Sequence, residues 1–167
     1  MAFSKEIYEA RRARIKKAMG GGLLLFLGNG IASFNYSDNN YQFRQDSTFL
    51  YFFGLDYEGL AAVIDIDNNK TIVFGDELTI DDIIWTGVQP TIAEKCAAVG
   101  VTETLPMSEL ANYINASKAK KQPIHFIPPY RGHTILWLQE LLGVPVNSAA
   151  GDAFVAGMPV ATPSLEM

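Results

Sequence analysis

The chain has 167 residues, 49% of them hydrophobic and 19% charged, enough for one domain with a real core and too apolar for a disordered tail. Thirteen basic against 18 acidic residues leave a formal net charge of −5, which disfavours nucleic acid as a general partner, because phosphate binding needs a concentrated positive surface. No apolar run approaches the roughly 18 residues of a membrane span, and the single cysteine, Cys96, excludes a disulfide framework and fits a reduced, cytoplasmic setting.

In chain order, Ser4 is placed to cap a helix running to about Met19, with Glu6 near its positive end and Lys16 and Lys17 near its negative end. Acidic Glu6 and Glu9 among the basic residues, and no small-x-small site after a short apolar stretch, do not read as a secretory signal. The basic cluster of Arg11, Arg12 and Arg14 reads as a solvated helix face. Gly20, Gly21 and Gly22 stop the helix, and 23–27 reads as a buried strand. Residues 31–48 are polar and aperiodic, and long irregular segments in small domains are commonly functional or interface-forming. After the aromatic run 49–53, the β-branched stretch 59–66, the turn 67–70 and the strand 71–74 form a hairpin. Thr79 or Asp81 starts a short helix ending near Trp85, and Thr91 caps another closed by Gly100. Ser108 precedes a helix over 109–119, 124–127 is a strand stopped by Pro128 and Pro129, and 133–142 is an amphipathic helix closed by Gly143. From Asn147 onward the pattern fades into a linker or fraying terminus. Strands interleaved with helices, one pair forming a hairpin, imply an α/β domain with a mixed sheet flanked by helices.

Chemistry-bearing motifs are weak. Gly28-Asn29-Gly30 follows a strand as a dinucleotide-binding turn would, but Ser33 stands where the third glycine belongs and no acidic residue closes a strand about 20 positions on. His125 and His133 flank a proline turn without a neighbouring carboxylate, which reads as structural or exposed rather than metal-ligating. Asp65 and Asp67 point to one face of a strand end, an ordinary place for aspartate. Cys96, among Ala93, Ala97 and Val99, reads as a small packed side chain.

The informative segment is 41–55. Asp46 or Ser47 is suited to cap a short helix whose aromatic residues pack inward. Arg44, flanked by Tyr41 and Phe43, is placed to pair with Asp38 or Asp46 or to tie down the loop. An exposed pair there would contribute under about 1 kcal/mol, whereas breaking a buried one by Arg44→Ala would cost about 3–5 kcal/mol; the larger loss is the expectation.

This segment resembles the Tyr-x-[Phe/Tyr]-Arg-Gln-[Asp/Asn]-Ser-x-Phe-x-Tyr-x-x-Gly pattern of the N-terminal domain of aminopeptidase P, the Xaa-Pro aminopeptidases of the creatinase/prolidase type. Tyr41, Phe43, Arg44, Gln45, Asp46, Ser47, Phe49, Tyr51 and Gly54 fit it. Ile84-Trp85-Thr86-Gly87 resembles the family's later Trp-x-Gly motif, with Gln89 a departure where many members carry a basic or glycine-containing stretch. The likeness spans about residues 3–150 and implies a three-layer, ribonuclease H-like domain over 1–150, with 151–167 a linker toward a C-terminal catalytic domain. In such enzymes that domain holds two divalent metal ions, commonly manganese, through two aspartates, one histidine and two glutamates. A metal-bound hydroxide there releases an N-terminal residue that precedes proline. None of those ligand motifs occurs here, so the expectation is a non-catalytic domain, with no metal or cofactor site of its own, that contributes to oligomer contacts and the substrate entrance. The tryptophan matching Trp85 reaches a neighbouring subunit's active-site mouth in similar enzymes, while core packing worth up to about 3 kcal/mol is its other reading. A free-standing interaction domain descended from the family is the second reading, and a nucleotide-binding domain at 28–30 the third.

Overall fold

The structure, a computed structural model, describes residues 3–36, 39–81, 84, 87 and 89–143. Helix α1 (Lys5–Met19) ends where Gly20 turns left-handed and donates its N–H to the Lys16 carbonyl. Ser4 stands at its N-cap, but its side chain caps no backbone N–H of the helix. Strand β1 (Leu23–Leu27) leads through a long loop to α2 (Ser47–Phe53), then to the hairpin β2 (Ala61–Asp65) and β3 (Lys70–Phe74). Helix α3 (Ile92–Ala97), strand β4 (Glu103–Leu105), helix α4 (Glu109–Ala119), strand β5 (Ile124–Phe126) and helix α5 (Gly132–Leu142) complete the described chain. The capping expected at Thr91 is a full capping box with Glu94.

The five strands lie in the order β4-β3-β2-β1-β5. β2 is antiparallel to both neighbours, whereas β1–β5 and β3–β4 are parallel. Four strands therefore share one direction, and only β2 runs against them. Alternation sends Leu24, Phe26, Ala62, Ile64 and Val73 to one face, where α1, α2 and α3 supply Tyr8, Ile15, Phe49, Phe52, Phe53 and Cys96. The other face, with Leu25, Val63, Ile72 and Phe74, packs on Leu110 and Ile114 of α4 and Leu138, Leu141 and Leu142 of α5. Helix, sheet and helix thus form three layers, as expected. The strand β4 was not expected; it pairs along the sheet margin with Ile72, Val73 and Phe74.

The two ends of the sheet differ. At the end where β1 begins, polar side chains close the structure. The Asp65 carboxylate, 1% exposed, accepts from Asn68 Nδ2 at 2.7 Å, Tyr113 Oη at 2.8 Å, Gln122 Nε2 at 2.8 Å and the Asn68 N–H at 3.1 Å. Asp67 accepts from the Gly22 N–H at 2.9 Å and shares Gln122 at 2.9 Å. At the opposite end the four parallel strands deliver their loops.

A loop-bearing sheet edge as the candidate interaction surface

Strands β1, β3, β4 and β5 end at one edge, so the segments 28–46, 75–91, 106–108 and 127–131 all leave the sheet there. In layered α/β domains the carboxyl ends of the strands are where ligands and partners are usually met.

The first loop is anchored by Gln45, 1% exposed. Its Oε1 accepts from the N–H groups of Asn29 at 2.7 Å and Asp46 at 2.9 Å, and its Nε2 donates to the Tyr57 carbonyl at 2.6 Å. One amide thereby joins the exit of β1, the start of α2 and the α2–β2 connection. Asn29 returns a bond from Nδ2 to the Arg44 carbonyl at 2.9 Å. Gly28 is needed beneath this amide, because an added Cβ would stand 2.5 Å from the Leu60 carbonyl oxygen and 3.1 Å from Gln45. The turn at 28–30 is therefore filled by protein. The cavity beside it, between Asn29, Asp46 and Tyr130, has a volume of about 40 Å³, room for a few waters and far below the roughly 300 Å³ at which ligand sites begin. Nothing beside this turn among the described residues favours a nucleotide there.

Asp46, rather than Ser47, caps α2, accepting from the N–H groups of Thr48 at 2.9 Å and Phe49 at 3.0 Å through Oδ1. Its Oδ2 accepts from the Tyr130 hydroxyl at 3.0 Å, which draws the β5–α5 loop to the same point. Burial first, and the Asp46 carboxylate next, push the Tyr130 phenol above its ordinary value. Ser47 is exposed in the first turn. Gly54 ends α2 at φ +65°, and a Cβ there would overlap the Tyr8 ring, so glycine is required on both counts. Tyr41 is exposed and meets Phe34 edge-on at 4.9 Å. Trp85 lies outside the described residues, as do Asp38 and 151–167, while Ile80, Asp81 and Ile84 of the short helix expected to end near it are helical.

Arg44 corrects the expectation of a buried side chain: it is exposed, and the loop uses its carbonyl rather than its guanidinium. The buried arginine is Arg12, which the basic cluster had suggested to be solvated. Its Nη1 donates to the Phe52 carbonyl at 2.8 Å and its Nη2 to those of Val99 at 2.7 Å and Gly100 at 3.1 Å. Burial lowers its pKa, yet a guanidinium stays charged. Arg11 lies over the Tyr51 ring at 4.1 Å and donates to the Tyr51 carbonyl. The available signal was spacing: Tyr8, Arg12, Ile15 and Met19 form one helical stripe.

Cys96 is buried, and burial pushes its thiol up to about 11, as its packed reading expected. His125 is buried in β5, and His133 is exposed and stacks on Trp137 at 6.0 Å. Among the described residues no group of three or more His, Cys, Asp or Glu is placed to hold a metal ion, and no helix is long and apolar enough to cross a membrane.

The edge exposes Ile31, Phe34, Tyr36, Tyr41, Leu78 and Ile80, the last 78% accessible. Apolar groups gathered beyond what a monomer needs mark contact surfaces.

Comparison with known proteins agrees with this architecture. The family model described as "Aminopeptidase P, N-terminal domain" matches residues 8–125. A probable Xaa-Pro aminopeptidase of Metarhizium acridum is 27% identical over 124 residues, covering 72% of this chain and 24% of that protein. One of Sordaria macrospora is 26% identical over 108 residues, covering 65% and 18%. Aminopeptidase P of Escherichia coli in its low-pH form superposes with a TM-score of 0.69 at 18% identity, over 86% of this chain and 33% of that one. The zinc-substituted enzyme in complex with product gives 0.67. At this identity the superposition speaks for the fold. The chain spans a quarter or less of these curated relatives' length and a third of the solved chains.

Proposed function

This chain belongs to the aminopeptidase P N-terminal domain family, and from that premise we propose that it serves a metal-dependent Xaa-Pro aminopeptidase by turning its loop-bearing edge toward neighbouring subunits and the substrate entrance. The observation that carries the reading is the convergence of four strand ends, whose loops expose apolar side chains at one place. Among the described residues, the opposite end, closed by Asp65, Asp67 and Gln122, exposes no large apolar side chain.

In this reading the partner is a catalytic domain of the same protein, joined through 151–167 and acting on proline-containing peptides in a cytoplasmic homo-oligomer. Two divalent metal ions, commonly manganese, would supply the activated water in that domain. The described residues hold no ligand cluster that fits them, so no step of the hydrolysis is routed through this chain. Its part is to position subunits, and Trp85 is the side chain we assign to the entrance. Tyr41, Arg44, Gln45, Asp46, Ser47 and Gly54 belong to the scaffold that presents the edge.

The downstream coding sequence tests the first half: a continuation with two aspartates, one histidine and two glutamates in ligand motifs is expected, and a stop codon directly after Met167 would overturn it. Trp85→Ala in the enzyme so encoded tests the second half. Turnover of proline-second peptides per folded molecule should fall while the denaturation midpoint holds. A loss of stability with turnover unchanged would return Trp85 to the core.

A further inference from the structure

A groove opens beside α3 at the same edge, with a volume of about 680 Å³, within the roughly 300–1,000 Å³ of ordinary binding sites. Its floor is apolar, made by Phe43, Leu55, Leu60, Ile92 and Cys96. Among the described residues, its rim carries Asp56, Glu58, Asp76 and Glu77 against one cation, Lys95. Four carboxylates less one ammonium leave three net negative charges around an apolar floor.

These carboxylates are not equivalent. Asp76 accepts from the Met107 N–H at 3.0 Å, and Glu77 accepts from the Ile92 N–H at 2.9 and 3.2 Å, so both partly serve to hold the walls. Asp56 and Glu58 are exposed on either side of Tyr57. Lys95 Nζ stands 4.0 Å from the centre of the Tyr57 ring, an arrangement in which the ring's negative face attracts a cation. The mouth of the groove is thus already occupied by a positive group, and that group comes from the chain itself.

An anionic ligand would be repelled by this rim, and a wholly apolar one would strip water from the carboxylates without replacing it. A strand that alternates apolar and cationic side chains meets both demands, since alternate side chains point to opposite sides. We propose that this groove binds an extended peptide segment alternating apolar with lysine or arginine side chains, and that Lys95 competes with it for the Tyr57 ring. The proposal rests on the reading above only in placing the groove at the receiving edge. Its test is binding to this chain, so it can fail while the role of Trp85 stands, and the reverse.

A fluorescein-labelled, N-acetylated hexapeptide alternating leucine and lysine would be titrated with the 167-residue chain and followed by anisotropy, beside its leucine–glutamate counterpart. Only the lysine peptide should bind, and its binding should fade as sodium chloride rises to about 0.5 M, where the screening length is only a few ångströms. Glu58→Lys should weaken it about fivefold or more, and Lys95→Ala should tighten it about two- to fivefold, the scale of single exposed charge contacts. Glu109→Lys, on the far layer, should leave it unchanged. Absence of binding, equal binding of the two peptides, or no tightening by Lys95→Ala would overturn the proposal. So would an effect of Glu109→Lys equal to that of Glu58→Lys, which would assign the binding to the chain's overall charge.

Discussion

A guanidinium 4% exposed, held by the carbonyls of Phe52, Val99 and Gly100, is a costly object unless every donor direction is used. Arg12 uses it to join α1 to the last turn of α2, where carbonyls carry the negative end of the helix dipole, and to the turn after α3. Arg12→Ala removes a charged donor and leaves those carbonyls without it, which should cost about 3–5 kcal/mol. Arg44→Ala removes an exposed side chain and should cost under about 1 kcal/mol. Urea midpoints of the two variants, measured together, decide the matter; equal losses would mean that Arg12 is hydrated in solution. The sequence pointed the other way because aromatic neighbours suggest shelter, and Arg44 has them. What shelters a side chain is the helical stripe it lies on, and Arg12 shares one with Tyr8 and Ile15. Gln45, by contrast, was legible as a motif residue, but two of its three contacts reach Asn29 and Tyr57, 16 and 12 positions away, which no local pattern brings together.

Among the elements, those carrying their own boundary chemistry were legible: α1 with its glycine stop, α2 with the Asp46 cap, the β2–β3 hairpin and the Thr91 capping box. Strand β4 has no such signal. It is three residues long, half-buried throughout, and exists through parallel pairing with β3, a non-local ladder invisible in a window of sequence. The hairpin's far end makes a prediction of its own. Burial alone would raise the Asp65 carboxyl, but hydrogen bonds from Asn68, Gln122 and Tyr113 outweigh it and set the pKa below its ordinary 3.8. A carboxyl lowered by folding stabilises the fold above its unfolded value, and that contribution is lost as pH falls through the folded value. Stability should therefore drop below about pH 4, where unfolded Asp65 takes up a proton that the folded site resists. Asp65→Asn should lose about 1.5–3 kcal/mol at neutral pH, the scale of hydrogen bonds to a charged group, and should show a shallower acid decline. An unchanged slope in denaturant melts from pH 7 to pH 3 would place the acid sensitivity elsewhere.

At the scale of the whole molecule, helices cover both sheet faces, while among the described residues the loop edge carries exposed apolar side chains. Ile31, Phe34, Leu78 and Ile80 stand exposed there, and no wall of the three-layer core needs them. Left alone, such an edge should associate with another copy of itself, because burying apolar area is favourable at roughly 25 cal/mol per Å² before the cost of association is met. Sedimentation of the 167-residue chain should accordingly show weight-average mass rising with concentration, and Phe34→Ser combined with Ile80→Ser should move it back toward the monomer. Salt separates this association from peptide capture in the groove. Sodium chloride weakens a contact made by Asp56 and Glu58, whereas sulfate strengthens apolar association. Two processes at one edge would then respond in opposite senses to added salt. If sulfate left the mass distribution flat at every concentration, the exposed loops would be spaced too widely to form a patch, and contact through this edge would depend on charge alone.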